Sequence, residues 1–549
     1  MPPRDKFIVV ALIAMVAVAT VAALASASNA ENAPPADGGT YSEGVVATAP
    51  PQTFNPLFAT SQAERDASAL LFTGLTRFDE RGVVVRDLAT DFSSSEDGKT
   101  WTVTIRPDAR WHDGEPVTAA DVVFTVGVAQ DPNYHGPYAG NFTGAKVEAL
   151  DDRTARFTLP DVYAPFLEAT TMPLLPSHLL GRLPVAQLAR DVFNVRPVGT
   201  GPFRFDSRDE TRVTLVRNES FYRDAPQRTR PHLDKVILRL FPDNNAAVQA
   251  LARGEVQAVG GISSDDADRV RRVRDIATNY FPSDEVTVLF FNLAPDRATF
   301  RDRVVRQAIA LAINRQRLVQ LVAGGHGAVT DEPVSPASWA YSTSKDLRPR
   351  GYSPDDARAM LDGADWIDHD GDGIRDKTGV PLRFSLVTND DPARVSTAQR
   401  IATDLDAIGM DVRIDVVTFA ELVGTRARER AFDAMLLTVS TGMDPDPYLF
   451  WHSSQTKEPG LNFTSYATLG MDRALEQARR TLDPSQRRDL YAQVFAQLQE
   501  DVPAVYLYFA DYVYAVDRAV HGMRIAPLAD PSGRFWNVED WYVRTVAQE

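Results

Sequence analysis

The sequence predicts a mixed α/β protein built from more than one domain, and two observations carry that expectation. Short alternating strand patterns and longer amphipathic helix patterns follow one another along most of the chain, with no fixed-period repeat. The 549 residues also exceed what one hydrophobic core organises, since single cores stop growing at roughly 250–300 residues.

The elements follow in order from local chemistry. Trp101–Ile105 alternates as a strand and is ended by Arg106-Pro107-Asp108. Thr118-Ala119-Ala120-Asp121 has the form of a capping box, with Asp in the Glu/Gln place, and opens a helix through Val122, Phe124 and Val126. Ala155–Leu159 is a strand stopped by Pro160, and Pro202–Phe205 with Thr211–Val216 forms a strand pair. Lys235–Phe241 is a strand; Asp243–Arg253 has helical apolar spacing and stops at Gly254. Thr287–Asn292 is a strand, and Asp302–Ala323 reads as one long amphipathic helix closed by Gly324-Gly325. Ser353-Pro354-Asp355-Asp356 supplies an N-cap, an N1 proline and acidic first-turn residues to another helix. Leu382–Val387, Val412–Val417 and Ala434–Val439 are strands; Val395–Ile408 is a helix, and Met471–Gln499 is helical around a break at Asp483-Pro484.

Composition excludes several function classes. An apolar share of 44% and a charged share of 24% are ordinary for globular chains. Fifty-eight Lys+Arg against 74 Asp+Glu leave a formal charge of −16, which argues against a nucleic-acid partner. The absence of cysteine removes disulfides, thiolate nucleophiles, zinc–thiolate sites, iron–sulfur clusters and a lipid-modified N-terminal cysteine. No His-Glu-x-x-His, Gly-x-Ser-x-Gly or Gly-x-x-x-x-Gly-Lys-[Ser/Thr] pattern is present, so no enzymatic activity and no cofactor are expected.

Arg4 and Lys6 precede an apolar run from Phe7 to Leu24, followed by Ala25-Ser26-Ala27 and Ser28-Asn29-Ala30. Residues 1–30 therefore read as an export signal cut after Ala27 or Ala30, with an uncleaved N-terminal membrane anchor as the alternative. Either places the remainder outside the cytoplasm, in the periplasm or cell envelope. Residues 31–40 are small, polar and Pro/Gly-rich, and read as a linker.

Several motifs then become specific. Trp101-Thr-Val-Thr-Ile-Arg-Pro-Asp-Ala-Arg-Trp-His-Asp-Gly-Glu-Pro-Val-Thr-Ala-Ala-Asp-Val-Val-Phe124, Leu70–Arg77, Gly199-Thr-Gly-Pro-Phe203, Phe290-Phe-Asn292 and Val304–Arg315 resemble the peptide/nickel-binding family of extracytoplasmic solute-binding proteins (family 5) that serve ABC importers. Asn314 stands where the family more often has Asp. The resemblance implies a two-lobed periplasmic-binding-protein fold of the large-ligand class, with an extra domain and a hinge between lobes. It implies a first-lobe core from 41–71, 196–285 and 515–549, an extra domain at 72–195, and a second lobe at 286–514. It also implies a monomer that captures a peptide or other small solute for ABC permease subunits in the membrane. Oligosaccharides, nickel chelates, opines and a sensor or chaperone role are the alternatives, because fold does not fix function.

Candidate site residues are of two kinds. By resemblance, Thr53, Phe54 and Asn55 lie beside the cleft, Trp339 belongs to a pocket-lining loop, and Asn389-Asp390 ends a strand of the opposite lobe. The loop Thr441-Gly442-Met443-Asp444-Pro445-Asp446 resembles the one that approaches a ligand ammonium and is expected opposite Thr53–Asn55. Thr441 occupies the position where peptide binders carry Asp, which leaves Asp444 or Asp446 as substitutes, or a surface Asp-Pro turn. Independently, Asp368, Asp370, Asp372 and Asp376, with Gly373 between, match the first part of a calcium loop, but Gly379 stands where its closing Glu belongs. The other reading is a tight Asp/Gly turn.

Overall fold

The computed structural model describes residues 37–222, 230–273, 275–295, 299–341 and 350–543. The expected export signal and the first six linker residues lie outside the described residues. Among the described residues no helix is long and apolar enough to cross a membrane.

Three sheets organise the chain. The first has seven strands in the order Ile276–Phe281, Tyr512–Asp517, Ala258–Gly260, Thr40–Val46, Lys235–Phe241, Arg212–Arg217, Phe203–Arg208. The second has six: Gly327–Val329, Ala504–Ala510, Glu285–Phe291, Ala434–Ser440, Arg383–Asn389, Asp411–Val417. The third, inserted between Leu71 and Phe203, has four: Ala89–Ser94, Thr100–Ile105, Thr154–Thr158, Lys146–Ala149.

One continuous core joins the seven-stranded sheet to the four-stranded one, running from Tyr41 and Phe54 through Leu70 and Trp111 to Phe157. The capping expected at residue 118 is present, since the Asp121 carboxylate accepts the Thr118 N–H at 2.8 Å. The same carboxylate takes the Trp111 indole N–H at 3.2 Å and the Ser177 N–H at 2.8 Å, so one buried acid ties a strand turn, a helix start and a loop together. His112 likewise serves structure. Its Nδ1 accepts the Gly199 N–H and its Nε2 donates to the Gly201 carbonyl, both at 3.1 Å, and burial pushes the imidazole down to about 4. Gly199 is obligatory there, because a Cβ would stand 1.9 Å from the Leu71 carbonyl oxygen.

The six-stranded sheet buries both faces. Helices Arg303–Ala312 and Pro392–Asp406 cover one, and Leu469–Arg480 and Pro484–Asp501 the other. The single helix expected over 302–323 is instead two. Ile313 is extended (φ −82°, ψ 120°), and Asn314 restarts the chain by accepting the Arg317 N–H at 2.9 Å. Pro392 at the helix N-terminus and Asp391 as its cap set the start of Pro392–Asp406 three residues earlier than the apolar spacing alone indicates.

Candidate functional site

Parallel pairing fixes where a ligand can sit. Strands Thr40–Val46 and Lys235–Phe241 run parallel, as do Arg383–Asn389 and Ala434–Ser440, and open sheets of this kind bind ligands beyond the carboxyl ends of their strands. The chain crosses from the seven-stranded to the six-stranded sheet through Pro282-Ser283-Asp284 and returns through Asp511. Those two short crossings lie at the carboxyl edges of both sheets, Phe281 pairing with Tyr512 and Glu285 with Ser440, so the crevice between the sheets borders these edges.

On the first wall, the carboxyl edge is built around Arg534. Its guanidinium pairs with Glu43 at 2.7 Å and Asp66 at 2.6 Å, all three side chains being 1% exposed. Tyr41 and Tyr514 donate their hydroxyls to Glu43 at 2.6 and 2.7 Å. Burial and the neighbouring Asp66 push the Glu43 carboxyl up, against the pull of Arg534. Every carboxylate oxygen here is engaged, so the group binds the C-terminal segment to the first strand rather than a ligand. Toward the crevice, Arg65 pairs with Asp530 at 2.9 Å, and both line a cavity of about 440 Å³ that Tyr138 also borders.

Phe54 and Asn55 lie inside this wall instead of on its surface. Both are 0% exposed, and Phe54 packs against Phe205 with ring centroids 5.3 Å apart. Thr53 is half-buried and accepts the Asn55 N–H at 3.0 Å. An apolar residue followed by Asn-Pro serves a turn and a core equally well, and nothing local in the sequence separates the two.

On the second wall, Asn389 ends its strand buried, with its side-chain oxygen accepting from Arg394 Nε at 2.5 Å. Asp390 is exposed beside it.

The loop after Ala434–Ser440 is held from three directions. Asp284, in the first crossing, accepts the Ser440 hydroxyl at 2.5 Å and the Gly442 N–H at 2.9 Å, and its carbonyl takes the Thr441 hydroxyl at 3.1 Å. Glu168, from the inserted domain, accepts the Asp444 N–H at 2.6 Å. Burial, with the Asp444 charge beside it, pushes Glu168 up to about 8; burial pushes Asp284 up to about 7. Arg487 pairs with Asp444, and Tyr491 donates to the same oxygen at 3.4 Å. Arg479 pairs with Asp446 at 2.6 Å while stacking on the Tyr448 ring, 3.7 Å from its centroid. Both carboxylates proposed to meet a ligand ammonium are therefore already neutralised by arginines. Trp339 belongs to this cluster, with Arg487 5.0 Å from its ring centroid. Its indole packs on the Arg487–Tyr491 side.

Glu168, Asp284, Arg479 and Arg487 were not singled out from sequence. Arg487 alone left a signal, being the cation four residues before Tyr491 on an otherwise apolar helix face with Leu490 and Val494. A cavity of about 580 Å³ adjoins the loop, between Asn141, Tyr163 and Phe166 of the inserted domain and Tyr448, Arg479 and Arg480 of the second lobe.

The Asp/Gly segment lies apart from the crevice. Asp368, Asp370 and Asp372 bring one carboxylate oxygen each within 4.8 Å of one another. Asp376 is not among them: it accepts the His369 N–H at 3.0 Å. Asp368 accepts the N–H groups of Gly371 and Gly373 at 2.7 and 3.0 Å, and Gly371 and Gly373 take φ of +81° and +88°, so the carboxylate and the glycines together shape a tight turn.

Comparison with known proteins agrees with this geometry. Residues 83–460 match the family described as bacterial extracellular solute-binding proteins, family 5 middle. The oligopeptide-binding protein AppA of Bacillus subtilis is 31% identical over 523 residues, 93% of this chain and 92% of that one. The solved structure of that protein in complex with a nonapeptide superposes with a TM-score of 0.74, at 30% identity over 93% of this chain and all of the other. NikZ of Campylobacter jejuni in complex with Ni(L-His) gives a TM-score of 0.74 at 27% identity, over 92% of this chain and 99% of its own. The chain belongs to family 5 of the bacterial extracellular solute-binding proteins.

Proposed function

We propose that this protein is the exported receptor of an ABC importer and that it captures a peptide in the crevice between its lobes. The observation that carries the reading is the pair of short crossings, 282–284 and 511, joining two sheets whose carboxyl edges face one crevice. Such a joint lets the lobes close on a solute and turns occupancy into a shape that a membrane partner recognises. The cavity of about 580 Å³ between the inserted domain and the second lobe is of the size that encloses small ligands, and likeness to an oligopeptide-binding protein over 93% of the chain favours a peptide. No chemistry on the solute is required; permease and ATPase subunits on other chains do the transport. The export signal is cleaved after Ala27 or Ala30, and the lobes divide at the two crossings.

Thermal melting in the presence of peptides tests the reading. A bound ligand at one hundred times its dissociation constant stabilises the native state by about 2.7 kcal/mol. A mixed peptide pool of three to nine residues is expected to raise the melting temperature, while free amino acids and maltooligosaccharides leave it in place. A rise with the sugars and none with peptides overturns the peptide assignment and leaves the receptor assignment intact.

A further inference from the structure

The carboxylates around the crevice divide into those already spoken for and those that are not. Asp444 and Asp446 are held by Arg487 and Arg479, Glu43 and Asp66 by Arg534, and Asp530 by Arg65. Asp284 and Glu168 hold the 440–444 loop through its hydroxyl and N–H groups, and Asp391 caps its helix through the Arg394 N–H. Three remain: among the described residues no hydrogen bond or ion pair engages the carboxylates of Asp511, half-buried in the second crossing beside His326, or of Glu285 and Asp390, both exposed.

Glu285 has the most telling position. It is the first residue after the crossing at 282–284, and it lies directly opposite Ser440 on the neighbouring strand, one residue from Thr441. Its carboxyl reaches water, yet both lobes surround it. Burial and Asp530 of the first lobe push it up, while Arg394 of the second lobe and Arg65 of the first pull it down. Arg65 already has Asp530 and the Thr60 carbonyl, and Arg394 has Asn389 and Asp391, so neither arginine is a dedicated partner. Glu285 is thus an unmatched negative charge at the place where the lobes meet. Closing the crevice over it strips water from an ion, which is costly unless a cation enters with it.

We infer that Glu285 is the residue that receives the α-ammonium group of the bound solute and selects for it. This rests on the peptide reading above and names the group by which that site recognises its ligand. A peptide N-terminus supplies three N–H donors and the compensating charge, and a charge-assisted hydrogen bond forms only when the lobes have closed. A neutral solute of the same shape leaves the carboxylate dehydrated and alone, so selectivity arises from the cost to the wrong ligand as much as from the gain to the right one.

The test uses a peptide library of three to nine residues lacking Lys, Arg and His, so that the α-ammonium is its only cation, together with its N-acetylated counterpart. Both are offered together to the mature protein, and captured peptides are counted by mass spectrometry. The wild type is expected to enrich free-amino over acetylated peptides ten- to a hundredfold. Glu285→Gln abolishes that enrichment while still capturing peptide, and Asp390→Asn retains it. Melting of the peptide-free variants checks that each is folded; Glu285→Asp, which keeps the charge, is expected to restore part of the enrichment. Equal capture of the two pools by the wild type, or undiminished enrichment by Glu285→Gln, overturns the role of Glu285 and leaves the peptide reading standing. Capture of neither pool by the wild type overturns the peptide reading, and the role of Glu285 falls with it.

Discussion

Glu168 reaches from the inserted domain to the Asp444 N–H of the second lobe, and its carboxyl is pushed up to about 8 from an ordinary 4.5. Between those values the folded chain holds a proton that the unfolded chain has released, so stability is fully present below pH 4.5 and declines as pH rises toward 8. Asp284, pushed up to about 7 from 3.8, adds a decline of the same sign over a lower window. Melting temperature measured from pH 5 to 8 is therefore expected to fall, and Glu168→Gln is expected to flatten the upper part of that fall while leaving the Asp284 part below pH 7. A wild-type curve that rises across the same range contradicts both assignments.

The loop at 440–446 and the helix Pro484–Asp501 are coupled through one buried ion pair. The Arg487 and Asp444 side chains are 5% and 12% exposed, so Asp444→Asn strands a buried guanidinium. Removing one partner of such a pair costs about 3–5 kcal/mol, and urea unfolding of Asp444→Asn is expected to register a loss in that range. Glu285→Gln, at a carboxylate that holds nothing among the described residues, is expected to change stability by less than about 0.5 kcal/mol. A binding loss at Asp444→Asn unaccompanied by a stability loss would return that residue to the ligand.

At the scale of elements, strands and caps were legible where the signal was local: the Thr118–Asp121 cap, the Ser353-Pro354 start and the Asp483-Pro484 break all stand where the sequence puts them. What eluded it was irregularity inside a regular pattern. Apolar spacing runs unbroken through 302–323, although Ile313 is extended and splits the helix. Tyr506 and Tyr508 alternate as if on one face, yet a bulge opposite Thr287/Val288 sends Tyr506 to Trp451 on one side and Tyr508 to Thr397 on the other.

Across the whole molecule, the family motifs carried the fold, whereas the crevice depends on residues that only folding brings together. Glu168 meets Asp444 across 276 positions, and Arg534 meets Glu43 across 491. No spacing rule connects such pairs, and an Asp in an Asp-Pro turn reads alike whether it faces solvent, a ligand or an arginine. The two crossings at 282–284 and 511 are what make these separate pieces one binding device, because they set both carboxyl edges around a single space. The claim that this space holds a peptide is tested most directly by isolating the mature protein from its native envelope, releasing what it carries by mild denaturation and identifying it by mass spectrometry. The account predicts peptides with free amino termini at about one per protein molecule; a metal chelate or an oligosaccharide at that stoichiometry would contradict it.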